Sequence, residues 1–347
     1  MTSKTSLSNT YRYGGCTLTG ALAVTAFVPD GISIIHGPSG CAHHHVSLLH
    51  STLMQYDILP MPRIMSTGLG EREVIFGGEE SLEETIAAAI ERSPHAVFVI
   101  STCVAGTIGD DTEGICRREW EIPVIPIDCA GFLGGSFSDG FSRALTGLSS
   151  LIGTGDACGE GVNIVGERNL EVEVEENFRE VERILERLDI PVNVRFVRNT
   201  PASGFGRFAG GNVNLFREDP VGALSRFFAD KYRIPGIAGF PTGPAGSCRL
   251  IRRLSGIFGC DATDAIREEE ARWQDLASDF SDLRGERIAL QPPATAGEWA
   301  DALSLVSCIG CTVTDTGIPV PWNGPVGIGG ARQMLRIWRR CLHARHV

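Results

Sequence analysis

The sequence predicts an α/β protein of doubly wound, parallel-sheet (Rossmann-like) domains, two full and one truncated. Three observations predict it. Short apolar runs of strand length alternate with stretches of helical period along most of the chain. There are 42 glycines in 347 residues against 7% aromatics, which suits a fold with many strand-to-helix turns. Two apolar runs, Ile32-Ser33-Ile34-Ile35 and Ala96-Val97-Phe98-Val99-Ile100, lead into turns that carry a cysteine. The carboxyl ends of parallel strands are where such sheets assemble their sites.

The first block covers residues 1–152. After the run at 32–35 comes the turn His36-Gly37-Pro38-Ser39-Gly40-Cys41 and a helix over 46–54. Gly77-Gly78 precedes an amphipathic helix over 81–92, with Leu82, Ile86 and Ile90 at helical spacing. The strand at 96–100 follows, then Gly109-Asp110-Asp111 as the start of another helix, then a strand at 123–127. The second block, 153–260, opens on a glycine-rich stretch. It holds strands at 162–165, 192–197 and 236–240, and helices at 170–188, 223–232 and 246–258. The third block, 261–347, has helices at 262–280 and 298–306, a strand at 287–290, and a basic helix at 332–342. It is too short for a full doubly wound domain. No internal repeat and no low-complexity tract interrupts this plan.

A formal net charge of −11 argues against a nucleic-acid partner. No apolar stretch approaches the ~20 residues of a membrane span, and residues 1–12 lack the apolar core of a signal peptide. Eleven cysteines without export point to a reducing, cytoplasmic compartment, where they serve as thiols or metal ligands.

Three of them stand out: Cys16 in Gly14-Gly15-Cys16, Cys41 in the turn above, and Cys103 in Ser101-Thr102-Cys103. Thiols delivered to one sheet edge from three points in the chain suggest a single thiolate-bound centre, and iron–sulfur clusters are held by such thiolates. The alternative is three buried free cysteines, a common role for the residue. Gly37, Pro38 and Gly40 fit the ligand turn, because glycines let backbone N–H groups approach cluster sulfides. His43, His44 and His45 offer metal donors, with His50 beyond them. Adjacent histidines on a helix splay apart, so they read first as a polar helix face, and otherwise as groups that hold or protonate a substrate. Asp110 and Asp111 read as helix-capping carboxylates. Cys308-Ile309-Gly310-Cys311 is a C-x-x-C with no second pair to complete a zinc ribbon; incidental or redox-sensing thiols and a ligand role both remain open for it. Cys116, Cys129, Cys158, Cys248, Cys260 and Cys341 read as packing residues. The stretch Gly204-Phe205-Gly206-Arg207-Phe208-Ala209-Gly210-Gly211 lacks the Gly-Lys-Ser/Thr of a phosphate loop.

Four ordered segments resemble the component 1 superfamily of nitrogenase and nitrogenase-like reductases. They are Gly15-Cys16-Thr17-Leu18-Thr19-Gly20-Ala21, then His36 to Cys41, then Phe76-Gly77-Gly78-Glu79, then Ser101 to Asp111. The cysteine spacings of 25 and 62 residues are also similar. Pro123 to Phe132 looks like the family's next strand and loop, and 327–335 like its final helix. The resemblance implies that Cys16, Cys41 and Cys103 ligate a cluster at a subunit interface. Three thiolates per chain leave a 4Fe–4S cluster one ligand short. The rest would come from a partner chain, or the cluster would be larger and shared. The implied partners are a second subunit, identical or paralogous, and a separate ATP-dependent iron–sulfur reductase resembling the nitrogenase iron protein.

Catalytic nitrogenase subunits also hold a large metal–sulfur cofactor through a Cys in the second domain and a His in the third. The Cys-bearing segment aligns with Asn214-Leu215-Phe216-Arg217-Glu218, and no histidine occurs between His95 and His343. Dinitrogen reduction is therefore not expected. The length and the region Ile34 to Cys41 look similar to those of the subunits that reduce and cyclise nickel-sirohydrochlorin diamide. The expected function is a nitrogenase-like oxidoreductase component acting on a tetrapyrrole or related substrate. The alternative is a non-catalytic scaffold for metallocluster assembly, which the Ser101 to Asp111 segment and the C-terminal helix resemble more.

Overall fold

The computed structural model describes residues 15–54, 61–153, 160–217, 219, 222–291 and 296–343. Gly14, the polar start at 1–12, Cys158 and Glu218 lie outside the described residues. The chain divides into two compact units: Met1–Val172, Asn193–Asn214 and Leu224–Gly236 in one, and Glu173–Val192, Leu215–Ala223 and Ile237–Val347 in the other.

The first part of the chain runs α1 (Thr17–Thr25), β1 (Gly31–His36), α2 (Ser39–Met54), β2 (Ile64–Ser66), α3 (Glu71–Phe76), α4 (Glu79–Ile90), β3 (Ala96–Ser101), α5 (Cys103–Ile108), α6 (Thr112–Cys116), β4 (Val124–Asp128) and α7 (Phe137–Leu148). Its strands form a parallel sheet in the order β2-β1-β3-β4. β1 and β3 are buried at every residue. Central strands covered on both faces read as unbroken apolar runs, which is why these two are plain in the sequence. Their register pairs His36 with Ser101. The turns that follow, carrying Cys41 and Cys103, therefore leave the sheet side by side at its carboxyl edge. Ile32, Ile34, Val97 and Val99 pack with Leu82 and Ile86 of α4 and Ile115 of α6.

Helix α1 is buried along its whole length. It lies against α7 through two glycines: a Cβ at Gly20 would fall inside 3.0 Å of the Phe137 carbonyl, and one at Gly140 inside 3.0 Å of the Thr17 backbone. This contact fixes the start of α1, and with it Cys16.

Next come β5 (Val162–Val165), α8 (Val174–Arg187), β6 (Val192–Arg195), β7 (Val213–Phe216), α9 (Ala223–Tyr232) and β8 (Gly236–Ala238), with strand order β6-β5-β7-β8. β7 follows a glycine-rich segment and, like β5 and β6, carries an asparagine. That asparagine, Asn214, belongs to a buried amide ladder. Asn193 Nδ2 donates to Asn163 Oδ1 at 2.8 Å, and Asn163 Nδ2 donates to Asn214 Oδ1 at 2.9 Å.

The remaining elements are α10 (Gly243–Phe258), α11 (Thr263–Asp279), β9 (Arg287–Leu290), α12 (Ala296–Ile309), β10 (Thr312–Val313), β11 (Ile318–Val320) and α13 (Gly327–His343). Three short parallel strands in the order β10-β9-β11 form a third sheet. Its core centres on Trp273 and Trp338. Each indole N–H is satisfied, by Glu269 Oε1 at 3.0 Å and the Pro321 carbonyl at 2.8 Å. Glu269 is itself paired with Arg183 at 2.8 Å, as a buried carboxylate must be. Among the described residues no helix is long and apolar enough to cross a membrane.

Candidate metal centre

Each of the three cysteines begins a helix. Cys16 is the N-cap of α1, Cys41 is the third residue of α2, and Cys103 is the first residue of α5. Unpaired N–H groups and the helix dipole favour a thiolate at such positions. Cys16 is exposed, and Cys41 and Cys103 are half-buried. The three lie within electrostatic reach of one another. The Cys41 thiol is pushed up first by burial and then by the charges of Cys16 and Cys103. A bound cation centre would reverse that repulsion.

Of the histidine run, His43 and His44 are exposed and His45 is buried. His45 Nδ1 bonds the Cys41 carbonyl at 2.7 Å, which turns Nε2 to Cys16 Sγ at 3.4 Å. That hydrogen bond is the main reason the Cys16 pKa falls to about 6. On His45, burial opposes the charged form, but the bonds to Cys16 and Cys41 outweigh it and raise the pKa. The sequence signal was the i,i+4 spacing of Cys41 and His45, which places the ring over the turn that begins α2.

Sequence reasoning missed His36. It ends β1, fully buried, with Nε2 2.9 Å from Asp110 Oδ2 and Nδ1 3.2 Å from Thr67 Oγ1. Asp110 Oδ2 is an acceptor, so Nε2 carries the proton of a neutral His36, and Thr67 Oγ1, which accepts from the Gly37 N–H at 3.0 Å, faces the unprotonated Nδ1. The network therefore assigns the Nε2–H tautomer to a neutral His36, which donates to the Asp110 carboxylate. Burial lowers the His36 pKa against the opposing pull of Asp110. Asp110 Oδ1 also accepts from Gly78 N at 3.0 Å. The pair thus ties the Cys41 turn to the segment that leaves the Cys103 helix. Asp110 is no helix cap. Asp111 is the cap of α6, accepting from Gly114 N at 2.8 Å. Asp110→Ala should cost about 3 kcal/mol, because it strands a buried donor. Asp111→Ala should cost only about 1 kcal/mol. Urea denaturation of the two variants ranks them.

The structure also changes the role of Gly37. Its N–H is held by Thr67, so it is not a free donor for a sulfide. Its lack of a side chain instead makes room for Thr102, whose atoms lie inside 3.0 Å of where a Cβ would be. The Pro38 carbonyl accepts from Cys41 N at 3.0 Å and so opens α2. A Cβ at Gly40 would meet nothing within 4 Å. Cys308 and Cys311 face different carbonyls, those of Trp273 and Leu283, and burial raises both thiols, Cys311 to about 11. Cys129 is likewise buried, and its thiol is pushed up to about 12.

Among the described residues no three His, Cys, Asp or Glu side chains converge as a single metal ion requires. An iron–sulfur cluster makes a different demand, since each thiolate takes its own iron. Three thiols at one sheet edge, with the pKa of Cys16 lowered to about 6, fit that group. The buried Thr102 hydroxyl beside them, which has no hydrogen-bond partner, fits it too.

Thiols at the carboxyl edge of a parallel α/β sheet are the residues of this chain that could hold a metallocluster. A family model described as nitrogenase component 1 type oxidoreductase matches residues 16–300, and the chain belongs to that family. The nitrogenase iron-molybdenum cofactor biosynthesis protein NifE of Clostridium pasteurianum is 28% identical over 300 residues, which are 82% of this chain and 64% of that protein. The nitrogenase molybdenum-iron protein alpha chain of Methanosarcina barkeri is 26% identical over 301 residues, 78% of this chain and 54% of that one. The solved structure "Nitrogenase Cp1 at pH 5" shares the fold, with a TM-score of 0.69 and 23% identity over 89% of this chain and 64% of that one. The chain thus spans less than two thirds of the length of these relatives.

Proposed function

We propose that this chain holds an iron–sulfur cluster on Cys16, Cys41 and Cys103 and serves as a scaffold in nitrogenase-type metallocluster assembly. One observation carries the reading. The chain keeps three helix-start thiols at one sheet edge, while the segment aligned with the large cofactor's cysteine ligand, residues 214–218, has no cysteine, and its Asn214 is built into the buried Asn163–Asn193–Asn214 ladder. Relatives whose printed names are those of cofactor biosynthesis proteins favour the scaffold over tetrapyrrole reduction.

When bound, the cluster supplies one-electron redox chemistry. The chain supplies the thiolates, His45 holds Cys16 deprotonated, and the His36–Asp110 pair braces the two ligand turns. A missing ligand calls for a second chain, and the surface offers places to dock one. Helix α3 has no buried residue and shows Ile75 at 71% and Phe76 at 81% exposure, and Phe132 is 76% exposed. Exposed apolar surface of this kind marks protein interfaces. The partners it suits are the cluster-completing subunit and an ATP-dependent iron–sulfur reductase.

Anaerobic purification should give about four irons per dimer with matching sulfide, as a cuboid cluster requires, and Cys41→Ala should lose them. The loaded protein, mixed with a cofactor-free acceptor of this family, should pass metal to it. Given the reductase, ATP and a tetrapyrrole, it should leave the tetrapyrrole unchanged. Sustained tetrapyrrole reduction without loss of metal would overturn the scaffold reading in favour of the reductase.

A further inference from the structure

The Thr102 hydroxyl has no account in the fold. It is 2% exposed, and its Oγ1 is buried without a hydrogen-bond partner. Thr102 stands at the N-cap of α5, where a threonine ordinarily accepts a bond from the helix N–H groups. Here it makes no such bond. The hydroxyl is turned instead against the α-carbon of Gly37, in the Cys41 turn, and only a residue without a side chain fits there. Its backbone N–H is satisfied by the His36 carbonyl at 3.0 Å, so the backbone is fixed and the side chain alone is left over. Burying an unsatisfied hydroxyl costs stability. Valine, which matches threonine in shape and adds no polar atom, would avoid that cost.

We infer that Thr102 is a positioning residue for the metal centre, and that its hydroxyl donates a hydrogen bond to a sulfur, sulfide or thiolate, once the cluster is in place. The inference rests on the proposed ligation by Cys16, Cys41 and Cys103. Both flanks of the hydroxyl belong to that ligand set: Cys103 is the next residue, and Gly37 lies in the turn leading to Cys41. A hydrogen bond to sulfur stabilises the reduced, more negative cluster and so raises its potential. The backbone N–H of Gly37, which lies against the hydroxyl, is engaged by Thr67, so it does not serve as that donor.

The test compares wild type, Thr102→Val and Thr102→Ser in the full chain, purified anaerobically. Iron and sulfide are assayed first, and then the cluster's EPR signal is titrated against ambient potential. All three proteins should hold equal iron. At a fixed potential, Thr102→Val should show a reduced-to-oxidised ratio about tenfold lower than wild type, which for a one-electron couple is about 59 mV. Thr102→Ser, which keeps the hydroxyl, should titrate with wild type. If the methyl that replaces the hydroxyl in valine displaces Gly37 and iron is lost, Thr102→Ala removes the hydroxyl without that methyl and should show the same shift. Equal iron with unchanged potentials in the valine or alanine variant overturns the role of Thr102 and leaves the cluster reading intact. Absence of iron from wild type, even after reconstitution, overturns the cluster reading and the inference with it.

Discussion

Gly140→Ala is expected to destabilise the protein by about 3 kcal/mol or more, at the upper end of what overpacking costs. The atoms a methyl would meet are the carbonyl oxygen, carbonyl carbon and α-carbon of Thr17, all inside 3.0 Å. These are backbone atoms, so no side-chain rotation relieves the clash. Helix α1 cannot retreat, because it is buried along its whole length. Gly20 presses on the α7 backbone in the same way, so the two helices are locked together from both sides. Gly147, also in α7, provides the control. A methyl there would sit 3.4 to 3.7 Å from Ile125, Ile127 and Pro126, which is ordinary contact. Gly147→Ala should be neutral, or gain up to about 1 kcal/mol from helix propensity. Thermal denaturation separates the two variants. The prediction has a second readout, since Thr17 follows the candidate ligand Cys16. Below its melting point, Gly140→Ala should bind less iron than wild type, whereas Gly147→Ala should bind as much. Equal stability of the two variants would refute the account of the α1–α7 contact.

The same particulars show why some of this structure can be read from sequence and some cannot. β1 and β3 are central strands, and burial on both faces turned them into unbroken apolar runs that need no partner to be recognised. The glycines and cysteines of the turns after them stand out because residue type itself carries the constraint. By contrast, α1 has the composition TLTGALAVT, whose helical character lies in being buried on every side, and periodicity does not reveal a helix without a polar face. β10 and β11 have two and three residues, too short for an alternating pattern. The His36–Asp110 pair spans 74 residues of chain. No local pattern links two such positions; the parallel register of β1 and β3 does. Asp110 and Asp111 look alike in sequence because they stand together after Gly109, which ends α5 in the left-handed conformation. Past that turn one carboxylate points to the sheet edge and the other to its own helix. The three cysteines were visible as a set, but His45 was concealed among identical neighbours, and only the burial of one face of α2 singles it out.

That histidine carries the last prediction. In the metal-free protein Cys16 should alkylate with a midpoint near pH 6, the value to which the His45 bond lowers its pKa from the ordinary 9.0. The sign follows from which form the bond favours. A lowered pKa means the thiolate prevails above pH 6 and is lost as pH falls through it, so reaction with iodoacetamide should level off by pH 7. His45→Ala removes the largest of the lowering causes and should move the midpoint up from about 6 toward 9.0. The midpoint discriminates better than the rate at one pH. A less acidic thiol is intrinsically more nucleophilic, with a Brønsted slope of about 0.4–0.5, and this offsets much of the lost thiolate at pH 7. Peptide mapping assigns the modified residue: Cys16 is exposed, while Cys41 is half-buried with its pKa raised, so it should react only in more alkaline solution. The consequence reaches the metal centre. A ligand that is already a thiolate binds iron without first releasing a proton, so reconstitution of wild type should depend less on pH between 6 and 8 than that of His45→Ala. A wild-type midpoint near 9 would mean that the Cys16–His45 bond does not form in solution. His45 would then be a helix-face residue like His43 and His44, and the centre would rest on its three thiols alone.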